Sequence, residues 1–410
     1  FPDILVRFDE SPSRIVFWRG TNYGACYVSE NGLWAGDQSL EANSNTTGCY
    51  EHMADKKCSF STAKILESND ARVVIHARYA SVGIDGKFLD PDPMTGWGLW
   101  SDEYFTIYPD GVAVRHVVAK NHFNGSGEWQ ETLLYNQPGM RPEDTVDLKA
   151  LTLANQKGET HTYSWEDGMP VILNDPKGPR HFQNPDQANI QIVNFKSNWK
   201  PFIVYETDVK IIPVGIGPSS DYSKFPCWNH WPVAQLPNDG RKAIVSDKPS
   251  HFSLSTSRGV IRRNAEGSES VYLYGMTDQP INSLVPLARS WNSAPAARLA
   301  GSGFEGGAYD KNQRTYVFTA KSPTAGPLEF SLEATPDAPI HNPAFVVKNW
   351  GNRPAALTIE GKEIPRGKDL RFGHNKTVDG TDLVVWVNTN GDKKTSFKIA
   401  VPQANNNDQD

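Results

Sequence analysis

Short runs of alternating apolar and polar residues recur along the chain, and the clearest of them covers residues 72–79. In an extended chain successive side chains point to opposite faces, so His76 and Arg78 share one face of this predicted strand. Residues 14–19 alternate between two faces that are both largely apolar. That second pattern predicts a strand buried on both sides.

The same pattern predicts many other strands. The Asp110-Gly111 step is typical of a hairpin turn and joins the runs 103–108 and 112–118. Further runs of this kind lie at residues 131–135, 149–154, 190–195, 202–206, 209–216, 271–275, 315–320, 328–332, 344–347, 356–360, 383–387 and 396–401. The best helical pattern, at residues 283–292, is barely three turns long. With no repeat of fixed period to indicate a propeller, the pattern predicts an all-β protein built on a large β-sandwich of the super-sandwich type.

Glycine density rises sharply in residues 300–308, which predicts either a flexible join between two domains or a backbone that passes close to a ligand. We therefore expect a catalytic β-sandwich domain at residues 1–309 and a small antiparallel β-sandwich domain at residues 310–403. The final residues, 404–410, are too polar to pack, and we expect them to fray.

Composition narrows the classes of partner. The net charge is −6 and no basic run is interleaved with aromatic residues, which disfavours nucleic acid. No apolar run is long enough to cross a bilayer, so no membrane partner is expected. The sequence begins at Phe1, without Met or a leader, and this is typical of a processed protein that is secreted or periplasmic. With 12 tryptophans and 14 tyrosines, the chain has enough aromatic residues for some of them to line a ligand-binding surface.

Four cysteines allow two disulfides. Cys49 and Cys58 flank a short polar loop and are the first predicted pair, and Cys26 with Cys227 is a second. The alternative is that all four are buried free thiols, since a free cysteine is often a core residue.

One segment, residues 225–241, concentrates side chains that suit a sugar-binding cleft. Its three prolines disfavour both helix and central strand, so we expect a loop at the surface. The indole rings of Trp228 and Trp231 offer apolar faces to a pyranose ring. Asn229 and Arg241 could bind an anionic substituent, and His230 could transfer a proton near neutral pH. A purely structural loop is the alternative.

A second set of residues comprises Trp18, Arg19, Asn22 and Tyr23, between two glycines that allow a sharp bend. Tyrosine is a proton carrier in elimination chemistry, and a nearby arginine can lower its pKa. A tyrosine packed on the core is an equally good interpretation. A Cys26–Cys227 disulfide would make this set a neighbour of the His230 loop.

Weaker signals come from other polar residues. Arg78 could contact a ligand, although a cross-strand pairing is more usual for a charged residue on a strand. The acidic residues at 85, 90 and 92 have a spacing suited to oxygen ligands, so a structural calcium ion could bind there. No cofactor is expected to be required. A glycosidase would need two carboxylates, for which the sequence offers Glu30, Asp37, Glu128 and Glu131.

Four stretches resemble secreted β-sandwich polysaccharide-degrading proteins, most closely the ulvan lyases of marine bacteria. They are Phe17-Trp-Arg-Gly-Thr-Asn-Tyr-Gly, Tyr108-Pro-Asp-Gly-Val-Ala-Val-Arg, Pro138-Gly-Met-Arg-Pro-Glu-Asp and Trp228-Asn-His-Trp-Pro. The resemblance spans roughly residues 10–300 and implies β-elimination at a uronate sugar. In such a reaction one group neutralises the carboxylate, a base removes the C5 proton, and an acid protonates the leaving oxygen.

Carried onto this sequence, the resemblance implies Arg241 or Asn229 as the neutralising group, His230 as the base and Tyr23 as the acid. The substrate-binding residues are then expected to be Trp18, Arg19, Arg78, Trp228 and Trp231. The expected substrate is an acidic, ulvan-like polysaccharide, and the protein is expected to be a monomer. The alternatives are a glycoside hydrolase and a non-catalytic carbohydrate-binding protein.

Overall fold

Short antiparallel strands run through the whole chain. A computed structural model describes residues 1–44, 48–89, 91–120, 128–168, 183–213, 223–228, 249–258, 262–264, 267–322 and 324–402. The strands of its N-terminal part are β1 (Ile4–Arg7), β2 (Arg14–Phe17), β3 (Ala25–Val28), β4 (Trp34–Ser44), β5 (Gly48–Glu51), β6 (Thr62–Ser68), β7 (Val73–Ala80), β8 (Trp100–Ile107), β9 (Ala113–Lys120), β10 (Glu128–Asn136), β11 (Val146–Ala154), β12 (Thr160–Tyr163), β13 (Ile190–Phe195), β14 (Lys200–Val204), β15 (Lys210–Pro213), β16 (Cys227–Trp228), β17 (Ser250–Arg258), β18 (Arg262–Asn264) and β19 (Gly267–Thr277).

The strands of the C-terminal part are β20 (Ala297–Ala300), β21 (Phe304–Asp310), β22 (Thr315–Ala320), β23 (Leu328–Leu332), β24 (Ile340–His341), β25 (Ala344–Lys348), β26 (Ala356–Ile359), β27 (Lys362–Ile364), β28 (Leu370–Lys376), β29 (Thr381–Val387), β30 (Asn390–Gly391) and β31 (Thr395–Ala400). Helical structure in the described residues consists of α1 (Pro142–Thr145), α2 (Val285–Asn292) and 3-10 helices at Arg19–Thr21, His52–Ala54 and Ile281–Leu284.

The predicted all-β fold is confirmed. Strands β13, β22 and β23 have the predicted bounds, and every other predicted run overlaps an observed strand. The predicted helix is a 3-10 turn that continues into α2.

Two large sheets make up most of the first compact unit. In the described residues, one sheet has nine strands in the order β1-β2-β3-β4-β10-β17-β15, with β5 beside β4 and β16 beside β17. The other has ten, in the order β12-β11-β13-β14-β19-β9-β8-β7-β6, with β18 beside β19. Buried hydrogen bonds join the two: Gln191 Nε2 donates to Thr132 Oγ1 at 3.0 Å, and the Tyr205 hydroxyl donates to Gln130 Oε1 at 3.0 Å. The sheets therefore pack face to face as a β-sandwich.

The interior of this sandwich contains buried charges. Arg115 lies 3.0 Å from an Asp37 oxygen and 2.6 Å from a Glu103 oxygen. The Tyr79 hydroxyl donates to Glu103, and the Tyr274 hydroxyl donates to Asp37. Burial raises the pKa of Asp37 to about 6, even though Arg115 favours its charged form. Each charge in this cluster is therefore stabilised by a partner on another strand.

A second compact unit contains the residues from Pro286 onward together with Glu67–Val74 and Thr106–Asp110. Its two five-stranded sheets, β20-β23-β31-β26-β27 and β21-β22-β25-β29-β28, enclose an aromatic core. The glycine-rich segment, residues 300–308, includes the last residue of β20 and the first five of β21, with a bulge between Gly306 and Ala308. The division into domains at 1–309 and 310–403 stays a prediction, and the predicted tail at 404–410 lies outside the described residues.

Candidate functional site

One strip of side chains runs along the outer face of the nine-stranded sheet. Asp37 and Thr132 bond to the ten-stranded sheet, so their neighbours along β4 and β10 point to the opposite, outer face. The outer-face partners across these two strands are Trp34 with Tyr135, Gly36 with Leu133, and Gln38 with Glu131. At about 3.4 Å per residue, this outer-face strip is roughly 14 Å long.

An apolar cleft lies at one end of the strip and has a volume of about 330 Å³. Trp18, Trp34 and Tyr135 line it, with Pro138 and Met140 from the turn that follows β10. The Trp18 and Trp34 rings meet edge to face with centroids 6.0 Å apart, and Trp18 is 36% exposed. This aromatic cleft offers the apolar surface that the C–H face of a sugar ring needs.

Tyr135 lies at the floor of the aromatic cleft. A Cβ atom on Gly36 would overlap its hydroxyl, so the phenol rests on the strand where that glycine leaves room. Its hydroxyl oxygen is buried, and burial raises the pKa of Tyr135 well above its ordinary value. On its other side Tyr135 is paired with His251 of β17. Cβ atoms of directly opposed residues are about 4.5–5.5 Å apart, so the two side chains start from adjacent positions on the sheet.

A polar cluster occupies the other end of the strip. Gln38 Nε2 donates to Glu131 Oε2 at 2.7 Å and to Glu41 Oε2 at 2.9 Å, and the Ser253 hydroxyl donates to Glu131. Burial raises the pKa of Glu131 against these two stabilising hydrogen bonds. The cluster therefore holds one buried carboxyl beside a second, more exposed one.

A second cleft of about 380 Å³ lies on the other side of Trp18, and we call it the basic pocket. Its walls include Arg19, Tyr23, Lys56 and Lys57. Three of the four predicted residues of the second set, Trp18, Arg19 and Tyr23, are thus brought together as expected.

Tyr23 differs from the prediction in its protonation chemistry. Its hydroxyl donates to the Phe1 carbonyl oxygen at 2.8 Å. Burial and the nearby Asp3 raise its pKa, and the opposing effect of Arg19 is smaller. The expected lowering of the Tyr23 pKa by an arginine is therefore wrong, because Arg19 is itself paired with Asp3 at 3.3 Å. A raised pKa makes the phenol a weaker acid, and the role of Tyr23 as the acid stays a prediction.

The described residues on either side of positions 229–248 are Trp228 and Pro249. Trp228, at the end of β16, pairs with His251, and Pro249 lines the cleft. The predicted residues Asn229, His230, Trp231 and Arg241 lie between these two points and outside the described residues, as does the Trp228 side chain. Their catalytic and binding roles stay predictions.

Arg78 lies on the ten-stranded sheet, away from the outer-face strip. It donates to both Asp102 oxygens, at 2.6 and 2.7 Å, and its guanidinium lies 5.9 Å from the centre of the Trp100 ring. Burial opposes the charge on Asp102, but hydrogen bonds from His76 and Arg78 lower its pKa to about 2. Arg78 thus has the cross-strand pairing that was the alternative, and a contact with ligand stays a prediction.

Neither predicted disulfide is present. Cys26 is a buried thiol whose Sγ lies 3.6 Å from the Gly24 carbonyl oxygen, and Cys227 accepts from Asn136 Nδ2 at 3.7 Å. Cys58 is also a free thiol and donates to the Arg19 carbonyl oxygen at 3.0 Å. The Cys26–Cys227 and Cys49–Cys58 predictions were wrong, although the side chain of Cys49 lies outside the described residues. Burial raises the pKa of Cys26 to about 12, as expected of an inert core thiol.

Among the described residues, no three or more His, Cys, Asp or Glu side chains are grouped to hold a metal ion. Asp85 accepts from the Lys87 backbone N–H at 3.1 Å, and Asp92 accepts from that of Thr95 at 2.7 Å. The third predicted ligand, Asp90, lies outside the described residues, and the calcium ion stays a prediction. No helix in the described part of the chain is long and apolar enough to span a membrane.

Sequence reasoning missed Tyr135, His251, Gln38 and Glu41. One signal was present, because the run after Trp34 places that residue, Gly36 and Gln38 on one face of an extended chain. Glu131 was considered only as a partner for a hydrolase. Its position opposite Gln38 depends on strand pairing that no local pattern specifies.

No family model and no curated protein matches this chain. Solved structures that resemble it include an aldose epimerase homologue from C. elegans, with 10% identity and a TM-score of 0.30 over 67% of this chain and 98% of that chain. Galactose 1-epimerase from Lactobacillus acidophilus has 8% identity and a TM-score of 0.26 over 67% of this chain and 98% of its own. Neither likeness bears on the chemistry of this chain.

Proposed function

We propose that this protein is a polysaccharide lyase that cleaves a uronate-containing, sulfated, ulvan-like polymer by β-elimination. The supporting observation is the outer-face strip, in which Tyr135 lines a cleft walled by indole rings and is paired across strands with His251. A polymeric substrate is consistent with a secreted or periplasmic protein.

The reaction needs an acid and a base on the same sugar unit. A base takes the C5 proton, the electron pair forms the C4–C5 double bond, the C4–O bond breaks, and an acid protonates the leaving oxygen. Tyr135 is proposed as the acid because it lines the cleft and carries a proton at neutral pH, as tyrosine ordinarily does, and the role requires substrate to expose its hydroxyl, which is buried in the free protein. His251, the cross-strand partner of Tyr135, is proposed as the base. His230 with Tyr23 remains the pair implied by the resemblance.

Stabilising the developing enolate is the largest demand of the reaction, since the C5 proton is acidic only when charge on the carboxylate is neutralised. Arg241 or Asn229 is proposed for that role. The segment that carries both leaves the sheet at Trp228 and returns at Pro249, beside the aromatic cleft. Trp18 and Trp34 would hold the sugar ring against this end of the strip.

A glycoside hydrolase is the second candidate, and the polar cluster favours it. Glu131 and Glu41 accept hydrogen bonds from the same amide nitrogen, at 2.7 and 2.9 Å, so the two carboxyls are close neighbours. Retaining glycosidases hold their two carboxyls about 5–5.5 Å apart, and their acid has a raised pKa. The pKa of Glu131 is raised by burial.

Incubation with ulvan and with unsulfated polyuronates separates the candidates. A lyase creates an unsaturated uronate that absorbs ultraviolet light, together with one reducing end per cleavage. A hydrolase creates reducing ends without that absorbance, and a binding protein creates neither. We expect the absorbance to rise in step with the reducing ends, and reducing ends alone would overturn the lyase proposal.

Single variants then assign the acid and the base. We expect Tyr135→Phe to lower turnover by about 10²–10⁴-fold, the usual contribution of a general acid. Tyr104→Phe, on the ten-stranded sheet, is the matched control and should keep full activity. His251→Asn and His230→Ala compare the two candidate bases, and Tyr23→Phe tests the other acid. Full activity in Tyr135→Phe would remove Tyr135 from the mechanism.

A further inference from the structure

Two turns joined by hydrogen bonds form the basic pocket. The Asn22 amide donates to the Asp55 carbonyl oxygen at 2.6 Å, and the Cys58 thiol donates to the Arg19 carbonyl oxygen at 3.0 Å. The Asp55 carboxylate in turn accepts from the backbone N–H groups of Ser59 and Phe60, at 2.9 and 2.8 Å. The walls of the pocket are therefore fixed relative to each other before any ligand arrives.

The charge lining the pocket is positive. Arg19, Lys56 and Lys57 contribute cations, and none of the described residues that line the pocket is a carboxylate. Asp3, which does not line the pocket, pairs with Arg19 through Nε at 3.3 Å. Such a set attracts an anion and has no means of favouring a cation.

Trp18 is shared by the basic pocket and the aromatic cleft. A Cβ atom on Gly20 would overlap the Trp18 ring, so the ring lies flat against that turn and forms a wall common to both spaces. A sugar held in the aromatic cleft is thereby separated from the basic pocket by the Trp18 ring. Volumes of about 330 and 380 Å³ each fall within the range of about 300–1,000 Å³ typical of ligand pockets.

We propose that the basic pocket is an anion subsite, which binds the sulfate ester or carboxylate of the sugar adjacent to the one held against Trp18. This subsite rests on the proposed function, because it assumes a polymer in the aromatic cleft. It selects polymers that carry a negative charge on neighbouring units. It does not take part in bond breaking, so its loss weakens binding rather than chemistry.

The test is a double variant, Lys56→Gln with Lys57→Gln, compared with Lys149→Gln on the exposed side of the ten-stranded sheet. Binding and cleavage are measured with ulvan, chemically desulfated ulvan and carboxyl-reduced ulvan, at low and high salt. We expect the double variant to bind ulvan roughly tenfold more weakly at low salt, with KM raised, kcat unchanged and the difference reduced by salt. Lys149→Gln should match the wild-type protein.

Comparing ulvan with its desulfated and carboxyl-reduced forms identifies which anion the basic pocket binds. A loss seen with ulvan but absent with its desulfated form assigns the pocket to sulfate, and a loss that persists without sulfate assigns it to the carboxylate. If the wild-type protein cleaves ulvan and the double variant is indistinguishable from Lys149→Gln, the anion subsite is overturned while the lyase stands. If the wild-type protein cleaves no polymer, the proposed function fails. The anion subsite is then still tested by comparing the affinities of the wild-type protein and the double variant for ulvan.

Discussion

His52 illustrates how burial decides the protonation of a single residue. It is fully buried, and its ring centre lies 4.4 Å from that of Tyr79. Burial, with a smaller contribution from the charge of Arg115, lowers its pKa to about 3. The imidazole is therefore neutral in the folded protein over the whole range in which free histidine titrates.

His52 should make the protein sensitive to acid. In the unfolded chain the imidazole takes up a proton below about pH 6.5, but the folded protein cannot do so until about pH 3. The unfolded state thus binds more protons in this window, and the free energy of unfolding should fall by up to about 1.4 kcal/mol per pH unit as the pH decreases. Denaturant unfolding at several pH values measures this slope.

His52→Gln should make the slope shallower, whereas the half-buried His161→Gln should change it little. Asp37 acts in the opposite sense: its folded pKa of about 6 lies above its ordinary value, so protonation below pH 6 favours the folded state. Asp37 is present in both variants, so its contribution to the pH slope cancels when the two slopes are compared. An unchanged slope in His52→Gln would show that His52 takes up its proton in the folded protein.

At the scale of elements, the sequence specifies most strands, since alternation is a local property. Among the strands that the pattern missed is β17, Ser-His-Phe-Ser-Leu-Ser-Thr-Ser-Arg, in which buried serines alternate with few apolar residues. Ser255 donates to Gln191 at 2.6 Å between the two sheets, so a hydroxyl occupies a position where the pattern demands an apolar side chain. When buried positions are polar and satisfied by hydrogen bonds, the sequence lacks the apolar alternation that predicts a strand, and its pattern is typical of a loop.

The pairing of β4 with β10 gives a prediction for Gly36. An alanine there would place its Cβ against the Tyr135 hydroxyl, and β10 cannot retreat because it is paired with β4 on one side and β17 on the other. The phenol must turn away from the cleft. We expect Gly36→Ala to lower turnover by about 10²-fold, as for other displacements of about 1 Å at a reacting group. Steady-state kinetics measure it.

Gly391→Ala is the matched control, because a Cβ atom there meets nothing within 4 Å. Combining Gly36→Ala with Tyr135→Phe removes the overlapping oxygen, so the two changes should be less than additive in the free energy of unfolding. Wild-type turnover in Gly36→Ala would show that the position of Tyr135 is irrelevant to catalysis.

At the scale of the whole molecule, the candidate site depends on pairings between distant segments. Tyr135 and His251 meet only because β10 and β17 are neighbours, and Trp18 reaches the same cleft from a turn near the start of the chain. The sequence indicated the residue types and placed Trp18, Arg19 and Tyr23 together. It could not indicate which tyrosine faces which histidine, and the inferred disulfide between Cys26 and Cys227 was the wrong link.

The second compact unit shows the same dependence on distant segments. Arg314 is buried and pairs with Asp110 at 2.6 Å, and the Tyr108 hydroxyl donates to the Gln313 carbonyl oxygen at 2.7 Å. Tyr108 also belongs to a buried cluster with Val346 and Trp386. Residues 106–110 are therefore part of this unit, although they lie far from it in the sequence.

We therefore expect that residues 310–402, excised near the predicted boundary, will not fold cooperatively. The fragment lacks β20 and all but the last residue of β21, and it loses Asp110, so the charge of Arg314 is left buried without that partner. Breaking such a pair costs about 3–5 kcal/mol, a large part of the stability of a domain this small. Thermal unfolding followed by circular dichroism tests the fragment, with Asp110→Asn in the full chain as the control for the ion pair alone. A sharp unfolding transition in the fragment would mean that its own core of aromatic residues suffices.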